Sequence, residues 1–264
     1  MARTFNHKAF GFDPTNAVVL AEAAKLVYGD KSAVASTVQA WGFPHFEWFE
    51  NNDTQAFLCG DTVKLILAFR GTEPTDLRDW VTDARIYKTH GPGGDVHSGF
   101  ARALGYVWHD VEGAVHQWRD HNQTLWLTGH SLGAALATLA AASLRLRDAA
   151  QIVNGVYTFG QPRVGSQRFA QNFNSALKGQ AFRFVNNNDV VTRVPLSSQD
   201  YSHVGTLRYF DNEGKLHSDD DLSWWGTFWD RIDGALEELL DKKIAAIADH
   251  AMDRYEDLTR KNCP

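Results

Sequence analysis

The stretch Gly129-His130-Ser131-Leu132-Gly133 has the residue types and spacing of a nucleophile turn. A bare Gly-x-Ser-x-Gly match carries little weight by itself. Its setting carries more. An apolar strand candidate at residues 125–127 precedes it, and a helix candidate rich in alanine and leucine at residues 132–146 follows it. This strand–turn–helix context is what a nucleophile elbow requires, and an idle serine on a surface turn does not account for it. The reason is steric. In so sharp a turn, bulky neighbours would strike the adjoining strand and helix, and Gly129 and Gly133 remove that clash. The start of the helix also offers free N–H groups and the positive end of a dipole to a developing oxyanion.

A serine hydroxyl is a weak nucleophile and needs a histidine base held by a carboxylate. In elbow enzymes the chain order is serine, then acid, then histidine. That order leaves His203, His217 and His250 as bases. Asp189 is the leading acid, because it follows a strand candidate at residues 181–185, and catalytic groups gather at the carboxyl ends of strands in open α/β sheets. Asp200 and Asp211 are its rivals. Residue pattern alone does not choose among the three histidines.

The elements that must position these groups alternate along the chain. Helices are expected at residues 16–28, 77–86, 98–118, 132–146, 166–177 and 234–255. Strands are expected at 47–49, 56–59, 63–69, 125–127, 153–159, 181–185 and 204–210, and residues 91–94 read as a glycine-rich loop. Strands alternating with helices imply an α/β fold with a mostly parallel central sheet flanked by helices. No linker-like stretch divides residues 1–264, which therefore read as one domain. A formal charge of -6 argues against nucleic-acid binding. Two cysteines form no disulfide framework. Residues 1–12 lack the apolar core of a signal peptide, which fits an intracellular chain or a secreted one whose signal has been removed. The longest apolar run, residues 132–144, is too short to span a bilayer.

Several segments together resemble the class 3 lipases, the family of the filamentous-fungal triacylglycerol lipases. They are Phe69-Arg70-Gly71-Thr72, Asp79-Trp80-Val81-Thr82-Asp83, Val96-His97-Ser98-Gly99-Phe100, residues 128–136, residues 158–165, Asn188-Asp189-Val190-Val191, Tyr201 with His203-Val204-Gly205, and His250-Ala251-Met252 with Tyr255. The similarity runs over residues 16–256. It implies an α/β-hydrolase fold with a short helical lid at residues 73–86. It implies Ser131 as nucleophile, Asp189 as acid and His250 as base, with an oxyanion hole of Thr72 and the Leu132 backbone N–H. His203 takes a supporting role. The implied activity is hydrolysis of carboxylic esters, foremost acylglycerols, without a cofactor and with transient contact at a lipid–water interface. A phospholipase A1, a feruloyl-type esterase and a non-catalytic lipid-binding module are the alternatives. The sequence departs from the family in Ala134, in lacking the fungal disulfides, and in residues 218–248, for which the family offers no template.

Nine tryptophans are many for this length. Trp224, Trp225, Phe228 and Trp229 share one helical face. Core packing is the ordinary role of such a face, and bordering an acyl cleft is the functional one. Trp80 in the lid segment, together with Trp225 and Trp229, is expected at the substrate, and Trp126 lies in the strand that feeds the nucleophile. The run Asp219-Asp220-Asp221 beside His217 lacks metal-ligand spacing and reads as a solvated helix-capping turn rather than a metal site.

Overall fold

The side chains of strand β3 (Lys64–Phe69) divide between two cores. Leu65, Leu67 and Phe69 enter one, and Ile66 and Ala68 enter the other. This follows from the period of two along a strand. Strand β6 (Thr124–His130) repeats the division, with Leu125 and Leu127 on the first face and Trp126 on the second. Strands buried on both faces belong inside a sheet covered by helices.

The computed structural model describes residues 4–71, 87–119, 123–148, 152–187, 189–218 and 249–263. Besides β3 and β6, its main sheet contains β1 (His45–Asn51), β2 (Thr54–Gly60), β7 (Gly155–Phe159), β8 (Ala181–Asn186), β9 (Thr206–Phe210) and β10 (Leu216–Ser218). Their order is β1-β2-β3-β6-β7-β8-β9-β10. The centre from β3 to β9 is parallel, and antiparallel pairs close both edges. The expected α/β architecture is thus present, with antiparallel edges.

Three helices pack on the first face: α3 (Ser98–Trp118), α4 (Leu132–Arg147) and α5 (Gln167–Leu177). The stripe Phe100, Leu104, Val107 and Val111 drives α3 onto the sheet. On the second face lie α1 (Pro14–Leu26) and α6 (Met252–Asn262). These two also meet through charge. Lys25 Nζ lies 2.7 Å from Asp253 and 2.8 Å from Glu256, and Arg260 pairs with both Glu22 and Glu256.

Strand β10 was not anticipated, and three further segments differ from the sequence expectation. Helix α2 (Lys31–Ala40) was not anticipated, because it buries only Val34 and Val38 and shows almost no apolar period. Its signal was instead the N-cap, Asp30, whose carboxylate accepts from the N–H groups of Ser32 and Ala33. The glycine-rich loop is the tip of a small hairpin formed by β4 (Lys88–Gly91) and β5 (Gly94–His97). Gly93, at φ 83°, supplies its turn. Finally, residues 249–251 are not helical, so the helix expected through 255 is interrupted just where His250 sits. Residues 77–86 and 234–248 lie outside the described residues.

Candidate active site

Ser131 stands between β6 and α4 with φ 57° and ψ -125°. A positive φ is uncommon for a residue with a side chain, and such strain persists only when the surroundings impose it. Here they do. A Cβ at Gly129 would lie 2.3 Å from the Gly133 carbonyl oxygen, and a Cβ at Gly133 would lie 2.1 Å from the Phe69 carbonyl oxygen. Both glycines of the motif are therefore required by close backbone approach. The Ser131 N–H donates to the Phe159 carbonyl at 3.0 Å, which ties the turn to β7. Leu132 opens α4, so its N–H is one of those a helix leaves without an intrahelical acceptor.

Asp189 follows β8 and is wholly buried, and His250 is 4% exposed. The structure brings them together: His250 Nδ1–H donates to Asp189 Oδ2 at 2.8 Å. The same oxygen accepts from the Tyr255 hydroxyl at 2.6 Å, while Oδ1 accepts from the Val191 N–H at 2.9 Å. Three donors thus converge on one buried carboxylate, as a buried charge requires. Burial and the adjacent Asp189 charge push the Tyr255 phenol well above its ordinary range, so it stays a donor. Ser131 Oγ and His250 Nε2 are both buried, and neither has a hydrogen-bond partner among the described residues.

The rival acids and bases are engaged elsewhere. Asp200 pairs with Lys88 at 2.8 Å, and Asp211 pairs with His217 at 2.7 Å. Burial first, then the charges of Arg183 and Arg163, hold His203 well below the usual imidazole range. Trp126 is a core residue, fully buried against Phe5 and Tyr157 rather than set at a cleft. Thr72, Trp80, Trp225, Trp229, the lid segment and the run 219–221 lie outside the described residues. So do Trp224 and Phe228.

A cleft of about 590 Å³ opens beside the serine turn. Leu132, Leu136 and Ala103 give it apolar lining, and Asp53, Arg70, Arg102 and Tyr106 give it polar lining. Gly71 also lines it, and a Cβ there would lie 3.2 Å from Ser131 Cβ.

Sequence reasoning gave Tyr255 no role beyond its match to the family pattern, although it touches Asp189 directly. It also passed over His130, Tyr28 and Asn186. Asn186 donates from Nδ2 to the Asp249 carbonyl at 2.8 Å and so holds the link that carries His250. Only the position of His130 inside the glycine–serine motif pointed to it. Tyr255→Phe removes one of the three donors to Asp189. It is expected to lower turnover about tenfold and stability by about 1–2 kcal/mol, as for a lost bond to a charged group. Steady-state kinetics beside urea unfolding measures both, and an unchanged kcat would show that the phenol does not support the pair.

A family model described as Lipase (class 3) matches residues 66–199. The chain is 29% identical to triacylglycerol lipase OBL1 of Arabidopsis thaliana, across 77% of this chain and 51% of that one. It spans about half the length of the curated relatives it matches. Among solved structures it superposes on MDLA of Penicillium cyclopium with a TM-score of 0.64 at 27% identity, covering 78% of this chain and 83% of that one. It also superposes on a triacylglycerol lipase whose catalytic centre is formed by a serine protease triad. That match has a TM-score of 0.61 at 26% identity and covers 76% of this chain and 80% of the other.

Proposed function

The chain belongs to the class 3 lipase family, and from that premise we propose that it is a serine-dependent hydrolase of carboxylic esters, foremost acylglycerols. One observation carries the reading. A buried Asp189–His250 pair leaves His250 Nε2 without another described partner, at a site where Ser131 Oγ is equally unpartnered on a strained turn.

The roles follow from this geometry. Asp189 accepts the His250 Nδ1–H, which fixes the tautomer with a bare Nε2. That nitrogen takes the Ser131 proton as Oγ bonds to the ester carbonyl carbon. The resulting oxyanion is held by the Leu132 N–H and by Thr72. Gly71 abuts Ser131. His250 then gives the proton to the departing alcohol, leaving an acyl-serine. Water repeats the cycle, with His250 as base and Ser131 as leaving group, and releases the fatty acid. No step calls for a cofactor or metal. The apolar lining of the cleft suits an acyl chain and its polar lining a glycerol backbone. We propose residues 73–86, with Trp80, as the lid, and Trp225 and Trp229 as further substrate contacts.

Arg70 and Arg102 on the cleft favour a second reading, cleavage of phospholipid acyl esters. The test is turnover of triolein, phosphatidylcholine and methyl ferulate, with fluorophosphonate labelling of Ser131. Acylglycerol cleavage exceeding the others supports the first reading. No label and no turnover would mean a lipid-binding module instead. Among the described residues, no helix is long and apolar enough to cross a membrane.

A further inference from the structure

His130 is a second buried histidine at the site, and its hydrogen bonds determine where its proton lies. Nε2 lies 2.7 Å from the main-chain carbonyl oxygen of His250. A carbonyl only accepts, so Nε2 carries the proton. Burial first, and then the neighbouring His250, keep His130 well below the usual imidazole range. The ring is therefore neutral, and Nδ1 is bare. Nδ1 lies 2.9 Å from the Tyr28 hydroxyl, which donates to it. The His130 ring also packs on the His250 ring, with centroids 4.5 Å apart. Tyr28 reaches the other side of the site as well, because a Cβ at Gly71 would lie 2.2 Å from its hydroxyl oxygen.

His250 sits on the non-helical link 249–251, so its ring is only as well placed as that link. We propose that Tyr28 and His130 are positioning residues: the phenol donates to Nδ1 and holds the His130 ring in place, and the ring's Nε2–H clamps the His250 carbonyl so that the His250 Nε2 is held toward Ser131. This rests on the ester-hydrolase reading above. Without the phenol, the buried Nδ1 loses its donor and the ring is free to turn. The Nε2–H bond to the carbonyl then lengthens, and the His250 main chain moves. Misplacement of a catalytic group by about 1 Å costs on the order of 100-fold.

The test uses Tyr28→Phe, His130→Gln and His130→Leu in the full chain. It measures kcat and KM on p-nitrophenyl butyrate, and the His130 ring nitrogen resonances by ¹⁵N NMR. Tyr28→Phe is expected to lower kcat by roughly 10- to 100-fold with KM little changed, and to move the His130 Nδ1 resonance as its hydrogen bond is lost. His130→Gln retains a side-chain N–H donor and is expected to recover part of the kcat lost in His130→Leu. An unchanged kcat in Tyr28→Phe, or a His130 Nδ1 resonance that does not move, overturns the proposal, and Tyr28→Phe decides this even where the His130 variants fail to fold. Absence of turnover and fluorophosphonate labelling in the wild type overturns the hydrolase reading instead.

Discussion

Ser131→Ala is expected to remove ester turnover by on the order of 10⁶-fold in kcat while leaving the fold intact. The side chain loses one oxygen, and that oxygen makes no hydrogen bond to any described residue. Alanine therefore leaves no donor or acceptor stranded, and the strained backbone at φ 57° is retained. Ser131→Gly should be equally inactive but more stable, by about 1 kcal/mol, because glycine adopts positive φ freely and such strain costs about 1–3 kcal/mol. Active-site titration and thermal unfolding of both variants check this. Turnover surviving in either, above the level of a mock preparation, would falsify the assignment of Ser131. A glycine variant less stable than the alanine one would show that the turn is not strained.

The second large effect is expected at Asp189→Asn, about 10⁴-fold in kcat. The carboxylate takes three donors: His250 Nδ1 and Tyr255 on Oδ2, and the Val191 N–H on Oδ1. An asparagine has one acceptor oxygen and one donor group. With its NH2 at the Oδ2 position it faces two donors, and when flipped it faces the Val191 N–H. Neither orientation satisfies the site. Protonating His250 on Nε2 instead would relieve the clash at Nδ1, but it removes the base. The mismatch also leaves buried groups unpaired, at about 1–3 kcal/mol. Stopped-flow or steady-state kinetics above neutral pH, with urea unfolding alongside, measures both losses. Retention of more than a tenth of wild-type kcat would mean that Asp189 does not set the His250 tautomer.

The sheet was legible because its central strands are buried on both faces and read as apolar runs, as residues 64–69 do. The helix Ser98–Trp118 was legible to the residue from its stripe. The serine turn was legible because two glycines meet main chain that no side chain could approach. The choice among the histidines was not legible from local pattern. His250 is selected by contacts reaching back 61 residues to Asp189 and 120 residues to His130. Helix α2 escaped because two buried valines make no period, and its N-cap was the only cue. Tyr255 and Tyr28 escaped because a tyrosine next to apolar residues reads as core until its hydroxyl is seen to donate to Asp189 or His130.

The charged clasp between the first and last helices bears on how activity is lost. Helix α6 buries only Met252, Tyr255, Glu256 and Thr259, yet it follows directly on His250. The ion pairs that tie it to α1 are partly exposed on their cationic side, since Lys25 and Arg260 are 46% and 41% exposed. Such pairs weaken as salt rises, whereas the sheet interior does not depend on them. Structures open locally at a lower free-energy cost than they unfold globally. The base therefore rides on a layer able to peel away while the sheet stays folded. Loss of the site by heat in high salt is therefore expected to precede loss of the strands and to reverse on cooling, which circular dichroism followed beside ester turnover would check.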